Sequence, residues 1–144
     1  MAVLPDHIAG LLGIRQSDRP ASLFELIERI EDGLPIAVLD RVSASLAPLD
    51  VNFKYHIIAR ATLARRRKRH KRLSMAESDR VFRLAQVWVL AREVWGSDES
   101  ARAFLFRPHM MLQGRRPIDV VLGTDMGARL VEDILGRLKY GSAA

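Results

Sequence analysis

RATLARRRKRHKRLSMAESDR, residues 60–80, is the stretch from which the rest of the chain is read. Between positions 60 and 72 it holds eight Lys or Arg (Arg60, Arg65, Arg66, Arg67, Lys68, Arg69, Lys71, Arg72) and no acid. The whole chain carries +6, so removing these eight leaves −2 for everything else. The protein is near-neutral with one concentrated cationic element, and that element accounts for its high isoelectric point. The second part, from Leu73 to Arg80, opens a new helix. The stretch therefore closes an N-terminal half suited to gripping a polyanion and opens a C-terminal half suited to gripping a protein.

Upstream, residues 22–32 read as a helix. Ser22 and Glu25 have the spacing of a capping box, in which each side chain satisfies an otherwise unpaired backbone N–H. Leu23, Ile27 and Ile30 are spaced for one inward face. Gly33 ends this helix, and Pro35 suits the first turn of another over residues 35–46, with Ile36, Leu39, Val42 and Leu46 inward. Pro48 breaks it. Asp50 caps a short third helix over residues 51–58, and a fourth, over residues 61–69, carries the cationic run anchored by Leu63. Residues 1–20 are weakly patterned: Val3, Leu4, Ile8, Leu11 and Leu12 suit either a short docking helix or a frayed arm.

Downstream, Ser74 and Glu77 form a second capping box at the start of the longest helix, residues 74–95. Val81, Leu84, Trp88, Ala91 and Trp95 make one stripe, with Val87, Leu90 and Val94 beside it. So wide an apolar surface implies burial on more than one side. Gly96 stops the helix. Ser97 caps the next, with Ala101, Phe104 and Leu105 inward and Pro108 at its end. Residues 109–116 form a loop, Pro117 starts a short helix to residue 122, and Thr124 caps the last helix, to about residue 139. Its inward face reads as Leu130, Val131, Ile134, Leu135 and Leu138. Gly127 and Gly136 lie inside it, at a cost of about 1 kcal/mol each relative to Ala, which close backbone packing would explain. No segment alternates like a strand, so the fold class is all-α.

Composition excludes several classes. There is no Cys, which removes disulfides, thiol catalysis and Cys-based metal sites. The first residues lack a basic leader and make a poor signal peptide. No apolar run is long enough to span a bilayer, so no membrane role is expected and the location reads as the cytosol. His7, His56, His70 and His109 share no metal-ligand spacing. Ser74, His70 and Asp79 are close in sequence, but Ser74 is better explained as a cap. Glu132 and Asp133 sit on a solvent face. Nothing here points to an enzyme or a cofactor.

The cationic run has two readings. It is either a solvated basic face between two halves or a set of phosphate contacts, whose free energy comes from counterion release. Eight cations in thirteen residues repel one another without an anionic partner, which favours nucleic acid. Residues 51–58 and 61–69 resemble the scaffold and reader of a helix-turn-helix. The expected DNA-binding residues are Arg60, Thr62, Arg65, Arg66, Arg67, Lys68 and Arg69. At the other end, Arg137, Lys139 and Tyr140 close the last helix, either as cations placed against its dipole or as a plug for a partner's pocket.

Taken together, GLP at residues 33–35, TLARR at 62–66, RLSMAESDR at 72–80, VWG at 94–96, GRRPID at 114–119 and GARLVEDILGRLKYG at 127–141 resemble the antitoxins of the Xre/MbcA/ParS family, which are paired with RES-domain toxins. This chain has Ala61 where relatives often carry Arg before the Thr-Leu pair. The resemblance covers roughly residues 22–141 and implies an Xre-like helix-turn-helix bundle over 21–72 and a small helical toxin-binding domain over 73–144; it does not reach the N-terminal arm over residues 1–20. It implies a RES toxin that consumes NAD or transfers ADP-ribose, inhibited when the last helix and tail cover its NAD pocket. It places toxin contacts at Arg129, Glu132, Arg137, Lys139, Tyr140 and Gly141. It further implies autorepression at operator double-stranded DNA in the bacterial cytosol, and a homodimer within a hetero-oligomer.

Two other readings compete. A stand-alone transcriptional regulator would share the DNA-binding half and use its C-terminal half only to dimerise. A nonspecific RNA or nucleoid binder would need an aromatic stacking platform that the sequence lacks.

Overall fold

The computed structural model describes residues 5–13 and 22–141. Val3, Leu4 and the tail beyond Gly141 lie outside the described residues. The described chain is helical: α1 (Pro5–Leu12), α2 (Leu23–Asp32), α3 (Ile36–Leu46), α4 (Arg60–Lys68), α5 (Met75–Trp95), α6 (Asp98–Phe106), α7 (Pro117–Gly123) and α8 (Asp125–Tyr140), with 3-10 turns at Phe53–His56 and Met110–Leu112. The one β-type pairing among the described residues is an isolated bridge between His109 and Arg115. Two compact units divide within α5, one ending at Ala85 and the other beginning at Gln86.

In the first unit, α1 packs on α2 and α3, burying Ile8, Ala9 and Leu12. α2 departs from the expected face. Leu26 is its buried residue, Ile30 is half-buried, and Leu23, Phe24 and Ile27 are exposed. The i, i+4 pair Leu26–Ile30 takes the inward position, which rotates Leu23 and Ile27 outward. Ser22 accepts from the Glu25 N–H as the capping box requires. In α3, Leu39, Val42 and Leu46 are buried as expected, joined by Val38, while Ile36 is half-buried.

The expected helix over residues 51–58 is only the 3-10 turn. The Asp50 carboxylate accepts from the Asn52 N–H, which spends the first residues on a turn. The Tyr55 and Ile57 N–H groups then reach back just three residues. The Arg80 guanidinium donates to the Ile57 carbonyl at 2.6 Å, just past the turn. Phe53, Ile57 and Ile58 are buried all the same.

Two motifs some forty residues apart in sequence meet here. The Leu73 N–H donates to the Leu34 carbonyl at 3.0 Å, the Leu34 N–H to Ser78 Oγ at 2.8 Å, and Arg72 to the Gly33 carbonyl at 3.2 Å. Gly33 has φ of 91°, and a Cβ there would lie 2.3 Å from the Leu73 carbonyl oxygen. The chain can reverse this close to residue 73 only because position 33 has no side chain. α5 starts on the expected capping box: the Ser74 N–H donates to Glu77 Oε1 at 2.8 Å, and the Glu77 N–H to Ser74 Oγ at 3.1 Å.

In the second unit, Val87, Trp88, Leu90 and Ala91 of α5, Ala101, Phe104 and Leu105 of α6, and Ile118 and Val121 of α7 are buried. Val94 is half-buried, and Trp95, at the end of the stripe, is 42% exposed. Ser97 and Thr124 cap α6 and α8 as their spacing predicts. Residues 109–116 are more ordered than a plain loop. His109 exchanges backbone hydrogen bonds with Arg115 and Gly114, and its Nδ1 accepts from the Met111 N–H.

α8 packs on α7, and Ala128, Val131, Ile134 and Leu135 are its buried residues. Leu130 and Leu138, expected inward, are 45% and 47% exposed. α8 meets its neighbours along a narrow stripe, and these two residues flank it. A Cβ on Gly127 would lie 2.2 Å from the Val120 carbonyl oxygen, so this interior glycine marks a close helix–helix approach.

Candidate functional surfaces

The cationic residues of α4 divide by helix face. Leu63 is 2% exposed and fixes the inward side. Arg66 and Arg67, three and four residues on, lie towards that side. Arg66 Nε is 2.9 Å from Glu77 Oε1. Arg67 reaches both oxygens of Asp40 at 3.0 Å, and Lys54 adds a contact to the same carboxylate at 3.4 Å. Arg60 lies 3.8 Å over the Tyr55 ring and donates to Asn52 Oδ1 at 3.2 Å. Thr62 is half-buried.

The opposite side is different. Arg65, Lys68 and Arg69 are exposed and have no carboxylate partner among the described residues. Their i, i+3, i+4 spacing places them on one face. Lys71 is also exposed, beyond His70, whose φ of 52° turns the chain. Of the seven residues expected to touch DNA, three are thus held by protein groups and three form an unpaired cationic strip. The run of arginines did not reveal that split, because the partners Asp40, Tyr55 and Glu77 lie on other elements of the fold.

Glu77 is 8% exposed. Burial alone would raise its carboxyl pKa, but the hydrogen bonds from Ser74 and the charge of Arg66 outweigh burial, and the net shift is downward.

The second surface lies at the end of α8. Arg129 pairs with Asp125 at 3.3 Å. Glu132 is half-buried, and its carboxyl is pushed up by burial, with Asp133 and Asp125 adding like-charge repulsion. Lys139 pairs with Glu93, which raises the ammonium pKa. Arg137 is exposed, Tyr140 is 69% exposed, and Gly141 closes the helix at φ of 63°, its N–H bonded to the Arg137 carbonyl.

Beside this end is a groove of about 410 Å³ whose lining includes Trp95, Phe104, Arg107, Pro108, His109 and Leu138. Phe104 packs against Trp95 at 5.6 Å and edge-on to His109 at 5.7 Å. The sequence held one sign of this groove, a Trp ending a stripe that is otherwise buried. Leu138 was hidden by its regular place in the α8 pattern. Among the described residues no three His, Asp or Glu side chains cluster to hold a metal, and no helix is long and apolar enough to cross a membrane.

Comparison with known families assigns both units. Residues 25–86 match the antitoxin Xre-like helix-turn-helix domain, and residues 90–141 match the antitoxin Xre/MbcA/ParS C-terminal toxin-binding domain. An all-α chain with these two domains in this order is an antitoxin in architecture. Similar proteins carry the same designation. An Antitoxin Xre of Pseudomonas putida (strain KT2440) is 32% identical over 84% of this chain and 75% of its own length. An Antitoxin Xre of Yersinia enterocolitica is 30% identical over 81% and 79%. The chain belongs to the Xre/MbcA/ParS family of antitoxins.

Proposed function

We propose that this protein neutralises a RES-domain toxin that consumes NAD or transfers ADP-ribose, covering the toxin's NAD pocket with the last turn of α8 and the tail. The observation that carries this reading is the exposure of Tyr140 at the end of a helix packed along one stripe, next to the exposed Arg137. A planar aromatic ring and a guanidinium suit a pocket built for a dinucleotide, since one stacks and the other pairs with phosphate. The remaining proposed contacts are Arg129, Glu132, Lys139 and Gly141.

The same protein would repress its own operon, with α4 as the reader on operator duplex and its DNA contacts drawn from Arg60, Thr62, Arg65, Arg66, Arg67, Lys68 and Arg69. Among these the unpaired strip on α4 supplies phosphate contacts. Two half-sites would be read by a homodimer inside a hetero-oligomer with the toxin. We assign the protein to the bacterial cytosol and give it no catalytic role of its own.

Co-expression with the adjacent reading frame, pull-down and an NAD-consumption assay test the reading. The expected result is a stable complex that leaves NAD intact, with consumption appearing once this protein is removed. No complex, together with intact duplex binding, would reduce the protein to a regulator without a toxin.

A further inference from the structure

We infer that Arg66 is a positioning residue: by pairing with Glu77 it fixes the angle at which α4 presents Arg65, Lys68 and Arg69, and makes no nucleic-acid contact itself. This rests on the DNA-binding reading of the first unit.

The geometry separates Arg66 from its neighbours. Its side chain is 25% exposed, and its Nε lies 2.9 Å from Glu77 Oε1. That Nε is screened from solvent and has no aligned hydrogen-bond acceptor among the described residues, so the contact is an ion pair. A phosphate that drew Arg66 away from Glu77 would break this pair and leave a nearly buried carboxylate without its counter-charge. Arg65, Lys68 and Arg69 face no such penalty.

Glu77 is well placed to transmit position. The oxygen that meets Arg66 also accepts the Ser74 N–H in the α5 capping box. One residue on, Ser78 is fully buried and holds the Leu34 N–H. The first turn of α5 is therefore tied to the segment at Gly33 and Leu34, and Arg66 extends that tie to α4. The covalent link between the two helices is a short reversal through His70, braced by the Lys71 N–H donating to the Arg66 carbonyl at 2.9 Å. A reversal of this kind does not by itself fix an interhelical angle. The Leu63 anchor and the Arg66–Glu77 pair hold α4 at separate points along its length, which is what resisting a tilt requires.

The sign of one substitution decides the matter. Glu77→Gln keeps a side chain able to cap α5 and removes one negative charge. If electrostatics alone governed binding, losing an acid and freeing an arginine would strengthen binding to DNA. The positioning role predicts the reverse.

The experiment titrates the full-length protein against a labelled duplex taken from immediately upstream of its own reading frame. It is run at several KCl concentrations and well below the melting temperature. Glu77→Gln is expected to weaken binding by about threefold to tenfold, within the range for coupled contacts, with the salt slope unchanged. Arg66→Gln should give the same loss and the same slope, and the double variant should be no weaker than either single one. Circular dichroism establishes that each variant is folded at the assay temperature. Should Arg66→Gln not be folded, Arg66→Met keeps the packed stem and removes the charge, with the same outcome expected.

Equal or tighter binding by Glu77→Gln overturns the inference. So does a slope that falls by about 0.9 on removing the Arg66 charge, the signature of a lost phosphate contact. Failure of the unsubstituted protein to bind duplex is a distinct result, which overturns the DNA-binding reading and this inference with it.

Discussion

Two glycines and two carboxylates carry most of what can be tested at the scale of single residues. Gly33 combines a positive φ with a Leu73 carbonyl oxygen 2.3 Å from any added Cβ. Gly33→Ala is expected to cost about 2 kcal/mol or more, from strain and displaced backbone together, seen as a lower melting temperature. Gly127 reverses a general rule. In an ordinary helix interior, Ala in place of Gly stabilises by about 1 kcal/mol. Here the new methyl meets the Val120 carbonyl oxygen, so Gly127→Ala should destabilise by about 1–3 kcal/mol, as overpacking does. An increase in melting temperature would show that α7 and α8 do not approach this closely.

The carboxylates act in opposite directions. Glu77 has a folded pKa below its ordinary value of 4.5. Its contribution is therefore complete above 4.5 and is lost as pH falls through the lower folded value. Glu132 has a raised folded pKa, so its ionised form opposes folding near neutrality and the opposition fades as pH falls through that value. Glu77→Gln should thus lower, and Glu132→Gln raise, the melting temperature at pH 7. The gap between Glu77→Gln and the parent should close in acid.

At the scale of elements, the sequence was most informative where a motif is local. The caps at Ser22, Ser74, Ser97 and Thr124 depend on residues three positions apart, and each is present. It was least informative where a face is set from a distance. α2 turned Leu26 inward in place of Leu23 and Ile27, and α8 left Leu130 and Leu138 exposed. Periodicity gives an apolar stripe but not the width a neighbour will cover. The 3-10 turn at Phe53–His56 was missed for a different reason, since in so short a segment periodicity does not separate i→i−3 from i→i−4 bonding.

The candidate DNA surface shows the same limit. The cationic run was plain, but its division into held and free residues needed the partners. That division yields a prediction for α4. Replacing Arg65, Lys68 and Arg69 with Ala should weaken duplex binding and lower the salt slope by about 2–3, near 0.9 for each lost phosphate contact. Arg67→Ala should leave the slope almost unchanged, because that guanidinium is already paired with Asp40. Equal slope changes for the two constructions would mean that pairing in the free protein does not decide which residues meet phosphate.

At the scale of the whole molecule, the cationic element and the end of α8 with its groove are placed in different units. The cationic element lies in the unit that ends at Ala85. The groove of Trp95, Phe104, His109 and Leu138 and the end of α8 belong to the unit that begins at Gln86. Family membership assigns one unit to a helix-turn-helix and the other to toxin binding. The central claim is that neutralisation resides in the end of α8. The direct measurement compares the 144-residue chain with one ending at Leu138, each titrated into the purified product of the adjacent reading frame, with NAD consumption as the readout. The truncation removes Tyr140, Gly141 and the Lys139–Glu93 pair but keeps the α8 stripe of Ala128, Val131, Ile134 and Leu135. Helical content is therefore expected to hold while inhibition is lost. Full inhibition by the truncated chain would contradict the claim and move the inhibitory contact elsewhere in the second unit.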